Sequence, residues 1–126
     1  MLAKTILIAD DEPDQVRMLE SFLTERGYRV ITAENGEEVL TKARGQQPHL
    51  IVLDIMMPKI DGTQVAMLLK QDPRTKDIPI FFITAVISVD DQHHIVGHPN
   101  SVFAKPVRLE ELLQAIQTVL VDRPPL

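Results

Sequence analysis

No cysteine occurs among the 126 residues, which excludes a disulfide scaffold, a redox thiol, a cysteine nucleophile and any thiolate metal centre. Long hydrophobic runs are missing too. The longest, residues 78–87, is interrupted by Pro79 and Thr84 and falls far short of the roughly 20 residues that a helical membrane span needs. The opening Met1-Leu2-Ala3-Lys4 reaches Asp10 too soon to hold the apolar region and cleavage site of a secretory signal. Basic charge is sparse and scattered. The formal net charge is −5, and without clustered Lys and Arg the surface has little with which to displace counterions from a nucleic acid. There is no internal repeat, no G-x-G-x-x-G and no P-loop. These absences permit a cytoplasmic location and lead us to expect a protein that contacts neither membrane nor nucleic acid directly.

A hydrophobic content of 44% with 25% charged residues is ordinary for a folded chain of one domain, long enough to bury a core. Short apolar runs at residues 5–9, 29–33, 50–53, 80–83 and 101–104 alternate with stretches of helical period, the pattern of a parallel α/β sheet covered on both faces. Residues 14–26 place Val16, Leu19 and Leu23 on one helical face before a stop at Gly27. Shorter helices are expected over 37–44, closed by Gly45, and over 63–70, closed by Asp72-Pro73. In the last helix Leu109, Leu112, Leu113, Ile116, Val119 and Leu120 form a continuous apolar stripe. The fourth helix is expected to be short or irregular, starting near a Ser88/Asp91 capping box and stopping at Gly97 and Pro99. The one compositional break, Arg123-Pro124-Pro125-Leu126, separates a domain over 1–121 from a tail or the start of a linker at 122–126.

In an open parallel sheet, side chains just beyond the carboxyl ends of the strands converge on one crevice. The expected first strand ends in Asp10-Asp11, the third in Asp54, the fourth in Thr84 and the fifth in Lys105. Singly each has an ordinary explanation, such as a turn, a cap or a strand-end charge. Together they bring three carboxylates, a hydroxyl and an ammonium to one rim. Crowded carboxylates raise one another's pKa and need a cation to remain ionised. Lys105 supplies one charge, and an all-oxygen donor set suits Mg²⁺, which takes carboxylates, waters and phosphate oxygens. Such a site suits a phosphoryl group.

The segments "ILIADDEP" (6–13), "LIVLDIMMPKIDG" (50–62), "FFITA" (81–85) and "AKP" (104–106) resemble the receiver domains of two-component response regulators. Their spacing agrees as well, with 43, 30 and 21 residues separating Asp11, Asp54, Thr84 and Lys105 in turn. The resemblance implies a flavodoxin-like doubly wound (βα)5 sandwich with a five-stranded parallel sheet in the order 2-1-3-4-5. It also implies that Asp54 accepts a phosphoryl group from a sensor histidine kinase or phosphotransfer protein. Asp11, Asp54 and the backbone carbonyl of Met56 would then ligate Mg²⁺, with Asp10 acting through a water. Lys105 would pair with the phosphoryl oxygens, Thr84 would move its hydroxyl onto the group as the switch, and Lys105-Pro106 would be a cis bond. Met56 and Val86 would flank the acyl phosphate; both are apolar and neither can position an attacking water, so slow to moderate self-dephosphorylation is expected. A downstream protein or attached effector would be met by the face of the fourth helix, fifth strand and fifth helix, and a phosphorylation-dependent dimer could form. The only catalysis would be of the domain's own phosphorylation and dephosphorylation.

Two departures from the family pattern stand out. The aromatic residue usual three positions before the lysine is Val102 here, while Phe103, one place later, should face the opposite side of the sheet as a core aromatic. His93, His94 and His98 precede the fifth strand where the family often has Gly-Ala; with no fourth ligand suitably spaced they read as solvated loop residues. Two other classes compete. "IDGT" (60–63) is similar to the nucleophile loop of haloacid-dehalogenase-like phosphatases, but Lys59 stands in the nucleophile's place. A pseudo-receiver that binds partners without phosphorylation is disfavoured by the presence of all five site residues.

Overall fold

The computed structural model describes residues 3–85 and 102–120. Five strands, β1 (Thr5–Ala9), β2 (Arg29–Ala33), β3 (Leu50–Asp54), β4 (Ile80–Thr84) and β5 (Val102–Ala104), form one sheet in the order β2-β1-β3-β4-β5, and every pairing is parallel. Helices α1 (Pro13–Glu25), α2 (Gly36–Gln46) and α3 (Gly62–Gln71) follow the first three strands, and a C-terminal helix (Leu109–Leu120) follows β5. The expected fourth helix, Val86 and the three histidines lie outside the described residues.

β3 and β4 are buried at every position, which accounts for their near-continuous apolar sequences. Alternation along the strands then divides the core in two. Leu7, Ile51, Leu53 and Phe82 pack with Val39, Val65 and Leu69 of α2 and α3 on one face. Ile6, Ile8, Val52 and Ile83 pack with Leu19 and Leu23 of α1 and with Leu112 and Ile116 of the C-terminal helix on the other. Val102 joins the first group and Phe103 the second, where its ring lies 5.3 Å from that of Phe81. The alternation expected for these two residues therefore holds.

Element ends follow local chemistry, with small shifts from expectation. Pro13 opens α1 in the first helical position, where its missing N–H would be unpaired in any case. Asn35 and Asp61 cap α2 and α3 through their side chains. Gly45 does not close α2: the helix continues to Gln46, and Gln47 takes the left-handed terminal conformation at φ 46°. Pro48, which cannot continue a helix, is the stronger stop.

Candidate functional site

The parallel sheet puts the carboxyl ends of β1, β3, β4 and β5 along one edge, and the residues picked out by sequence stand there. Asp10 follows β1 directly, Asp54 and Thr84 are the last residues of β3 and β4, and Lys105 follows β5. Asp54 pairs with Ile83, whose neighbour Thr84 pairs with Ala104, the residue before Lys105. Asp10, Asp54 and Thr84 are all buried, at 2%, 2% and 1% exposure. Such burial is costly for carboxylates unless each is paired.

Lys105 provides much of that pairing. Its Nζ lies 3.0 Å from Glu12 Oε1, 3.1 Å from Asp10 Oδ2 and 3.2 Å from Asp54 Oδ2. Burial draws its pKa down, but the hydrogen bond it donates to Glu12 and the negative charges of Asp10 and Asp54 outweigh that and raise it above the usual lysine range. The ammonium is fixed in its charged form. The third carboxylate of this contact set is Glu12, whereas the sequence pointed to Asp11, which is exposed. The signal for Glu12 was only an acidic residue before Pro13, and its partner lies 93 positions away. The Lys105-Pro106 bond is cis, as the motif implied.

Backbone amides complete the carboxylate positions. Met56 N–H donates to Asp54 Oδ1 at 3.1 Å and Glu12 N–H donates to Asp10 Oδ1 at 2.9 Å. Both carboxylates are thereby oriented by the first turn that follows their own strand. The loop after Asp54 is closed by a hydrogen bond of 2.8 Å from Gly62 N–H to the Ile55 carbonyl. A side chain at Gly62 would place its Cβ 2.5 Å from the Asp54 carbonyl oxygen, so only glycine allows α3 to start this close to β3.

The donor set fits a hard divalent cation. Carboxylate oxygens of Asp10, Asp11 and Glu12 lie within 4.8 Å of one another. Asp10 Oδ2 is buried and accepts no hydrogen bond, although the Lys105 ammonium stands at ion-pair distance. Burial raises the Asp10 pKa, with the Glu12 amide and Lys105 acting in the opposite sense and the Asp54 charge reinforcing the rise. A cation beside Oδ2 would add to the single ion-pair contact that the described residues give this buried oxygen.

The competing phosphatase motif is occupied by structure. Asp61 Oδ1 accepts from Thr63 Oγ1 at 2.6 Å and from Gln64 N–H at 3.0 Å, and these bonds hold its carboxyl below the usual range. It serves as the cap of α3. Lys59 reaches Glu37 at 3.4 Å, away from any nucleophile.

A doubly wound five-stranded parallel sheet in the order β2-β1-β3-β4-β5 is a flavodoxin-like α/β fold. The family model for the response regulator receiver domain matches residues 6–117, and the chain belongs to that family. Among its relatives, the probable transcriptional regulator ycf27 of Pyropia yezoensis is 43% identical over 118 residues, spanning 91% of this chain and 46% of that protein. The polar-differentiation response regulator DivK of Brucella anthropi is 29% identical, with 96% of this chain and 99% of that protein covered. A putative response regulator from Chloroflexus aurantiacus superposes with a TM-score of 0.87 at 31% identity over 96% of this chain and 100% of that one. The chain spans about half the length of the first of these relatives. No helix among the described residues is long and apolar enough to cross a membrane.

Proposed function

We propose that this domain is a phospho-accepting switch of a two-component pathway, with Asp54 as the acceptor. The observation that carries the reading is a carboxylate only 2% exposed at the end of the central β3, with one oxygen 3.2 Å from a lysine ammonium and the other oriented by the Met56 amide. A sensor histidine kinase or phosphotransfer protein is the expected donor in the cytoplasm. An Asp54 oxygen attacks phosphorus, the bond to the departing imidazole nitrogen breaks with its electron pair, and an acyl phosphate remains. Asp10, Asp11, Asp54 and the Met56 carbonyl would hold Mg²⁺, which when bound neutralises charge on the transferring oxygens. Lys105 pairs with the phosphoryl oxygens and Thr84 turns its hydroxyl toward them. Met56 and Val86 leave the acyl phosphate without a side chain able to position water, so its decay is slow to moderate.

The receiver occupies residues 1–121, with 122–126 a tail or the start of a linker. Its output face is formed by the segment before β5, β5 itself and the C-terminal helix, engaging a downstream protein, an attached effector or a second phosphorylated copy. With Val102 in place of an aromatic, that face responds by packing changes and not by a ring moving inward.

Acetyl phosphate and Mg²⁺ followed by intact-mass measurement test the reading. One phosphoryl adduct is expected on the native chain, none on Asp54→Asn, and slow loss of the adduct after the donor is removed. An adduct that persists in Asp54→Asn, or none on the native chain, would refute the assignment.

A further inference from the structure

Glu12 is the N-cap residue of α1, in extended conformation at φ −98° and ψ 108°, yet its side chain makes no capping bond. Ser, Thr, Asp and Asn suit that position because their short side chains reach the first-turn amides. Asn35 and Asp61 serve in this way on α2 and α3. Glu12 instead extends to Lys105, 3.0 Å away and 93 residues on in the sequence. The glutamate side chain is 65% exposed and the lysine 13%. A pair so open to water adds little to stability, but it determines where the ammonium rests. Asp10, Glu12 and Asp54 surround a group with three hydrogens to donate. Asp10 and Asp54 are buried, and Glu12 is the exposed member of the three.

We propose that Glu12 is a positioning residue that holds the Lys105 ammonium at the rim of the site, so that a phosphoryl group arriving on Asp54 must compete with it for the lysine. This rests on the phosphoacceptor reading above and extends it to the rate of the switch. Glu12 slows phosphorylation through its reach to Lys105, and not merely through its negative charge.

Two substitutions separate reach from charge. Glu12→Asp keeps the carboxylate but is one carbon too short for Lys105, and as a better N-cap it leaves α1 intact. Glu12→Gln keeps the reach and removes the charge. Adduct formation from acetyl phosphate at saturating Mg²⁺ should be roughly two- to fivefold faster in Glu12→Asp than in the native chain, the scale of one exposed ion pair. Glu12→Gln should show a smaller gain. In metal-free protein, the side-chain ammonium of Lys105, followed by ¹⁵N NMR, should exchange with solvent faster in Glu12→Asp than in the native chain. A native rate in Glu12→Asp with acceleration only in Glu12→Gln would mean that charge alone acts, and would overturn the inference while leaving Asp54 as the acceptor. No adduct on the native chain would overturn both.

Discussion

Lys105 and Gly62 show how single residues fix the site from opposite directions. The lysine draws carboxylates from two strand ends and from the first turn after β1 toward one ammonium. The glycine lets the backbone of α3 lie against the end of β3, with no room for a methyl group beside the Asp54 carbonyl. In Gly62→Ala the new Cβ would meet backbone atoms at 2.5 and 2.8 Å, and these cannot yield unless Asp54 moves. A loss of about 1–3 kcal/mol in urea unfolding is expected, together with slower phosphoryl labelling. Gly45→Ala is the matched control. It lies inside α2 with nothing within 4 Å of an added Cβ, and it should gain roughly 0.5–1 kcal/mol. Equal stabilities for the two variants would refute the close-approach argument.

At the scale of elements, much was legible because hydrophobic runs and breakers act locally. β1, β2 and the C-terminal helix fall where the apolar pattern puts them. β3 and β4 each run one residue further, to Asp54 and Thr84, because a polar residue can end the apolar run while its backbone still pairs with the neighbouring strand. The end of α2 departs from expectation because a glycine can continue a helix, as Gly45 does, whereas Pro48 cannot. What lay beyond sequence were contacts across long separations: Glu12 with Lys105, and Asp72 with Arg44. Asp72 ends α3, and its carboxyl is held down at about 2, first by the side-chain hydrogen bonds of Arg74 and then by that residue's backbone amide. Its folded pKa lies below the roughly 3.9 of an unfolded chain. Its contribution is therefore complete above that value and is lost as pH falls toward 2. Urea midpoints of native protein and Asp72→Asn should differ by a constant amount above about pH 4 and converge on further acidification. A gap that widens on acidification would show that Asp72 is not stabilised as the carboxylate.

For the whole molecule, the decisive feature is that one sheet serves two cores and the site at once. Successive residues of β1 enter opposite cores, Leu7 and Ala9 with α2 and α3, Ile6 and Ile8 with α1 and the C-terminal helix, and β3 alternates likewise. Neither core can come apart without stripping a face from strands that the other also needs. Unfolding should therefore be a single transition, and damage on either side should weaken the whole fold equally well. Ile51→Val thins the first core and Ile116→Val the second, at positions that are both 0% exposed. Each should cost about 0.5–1.5 kcal/mol, and because the two side chains belong to separate clusters the costs should add in the double variant. The dependence of unfolding free energy on urea should stay unchanged throughout. Two resolved transitions, or a slope that falls in one variant alone, would mean that the halves separate, and that the strand ends carrying Asp10, Asp54 and Thr84 are not held by a single cooperative unit.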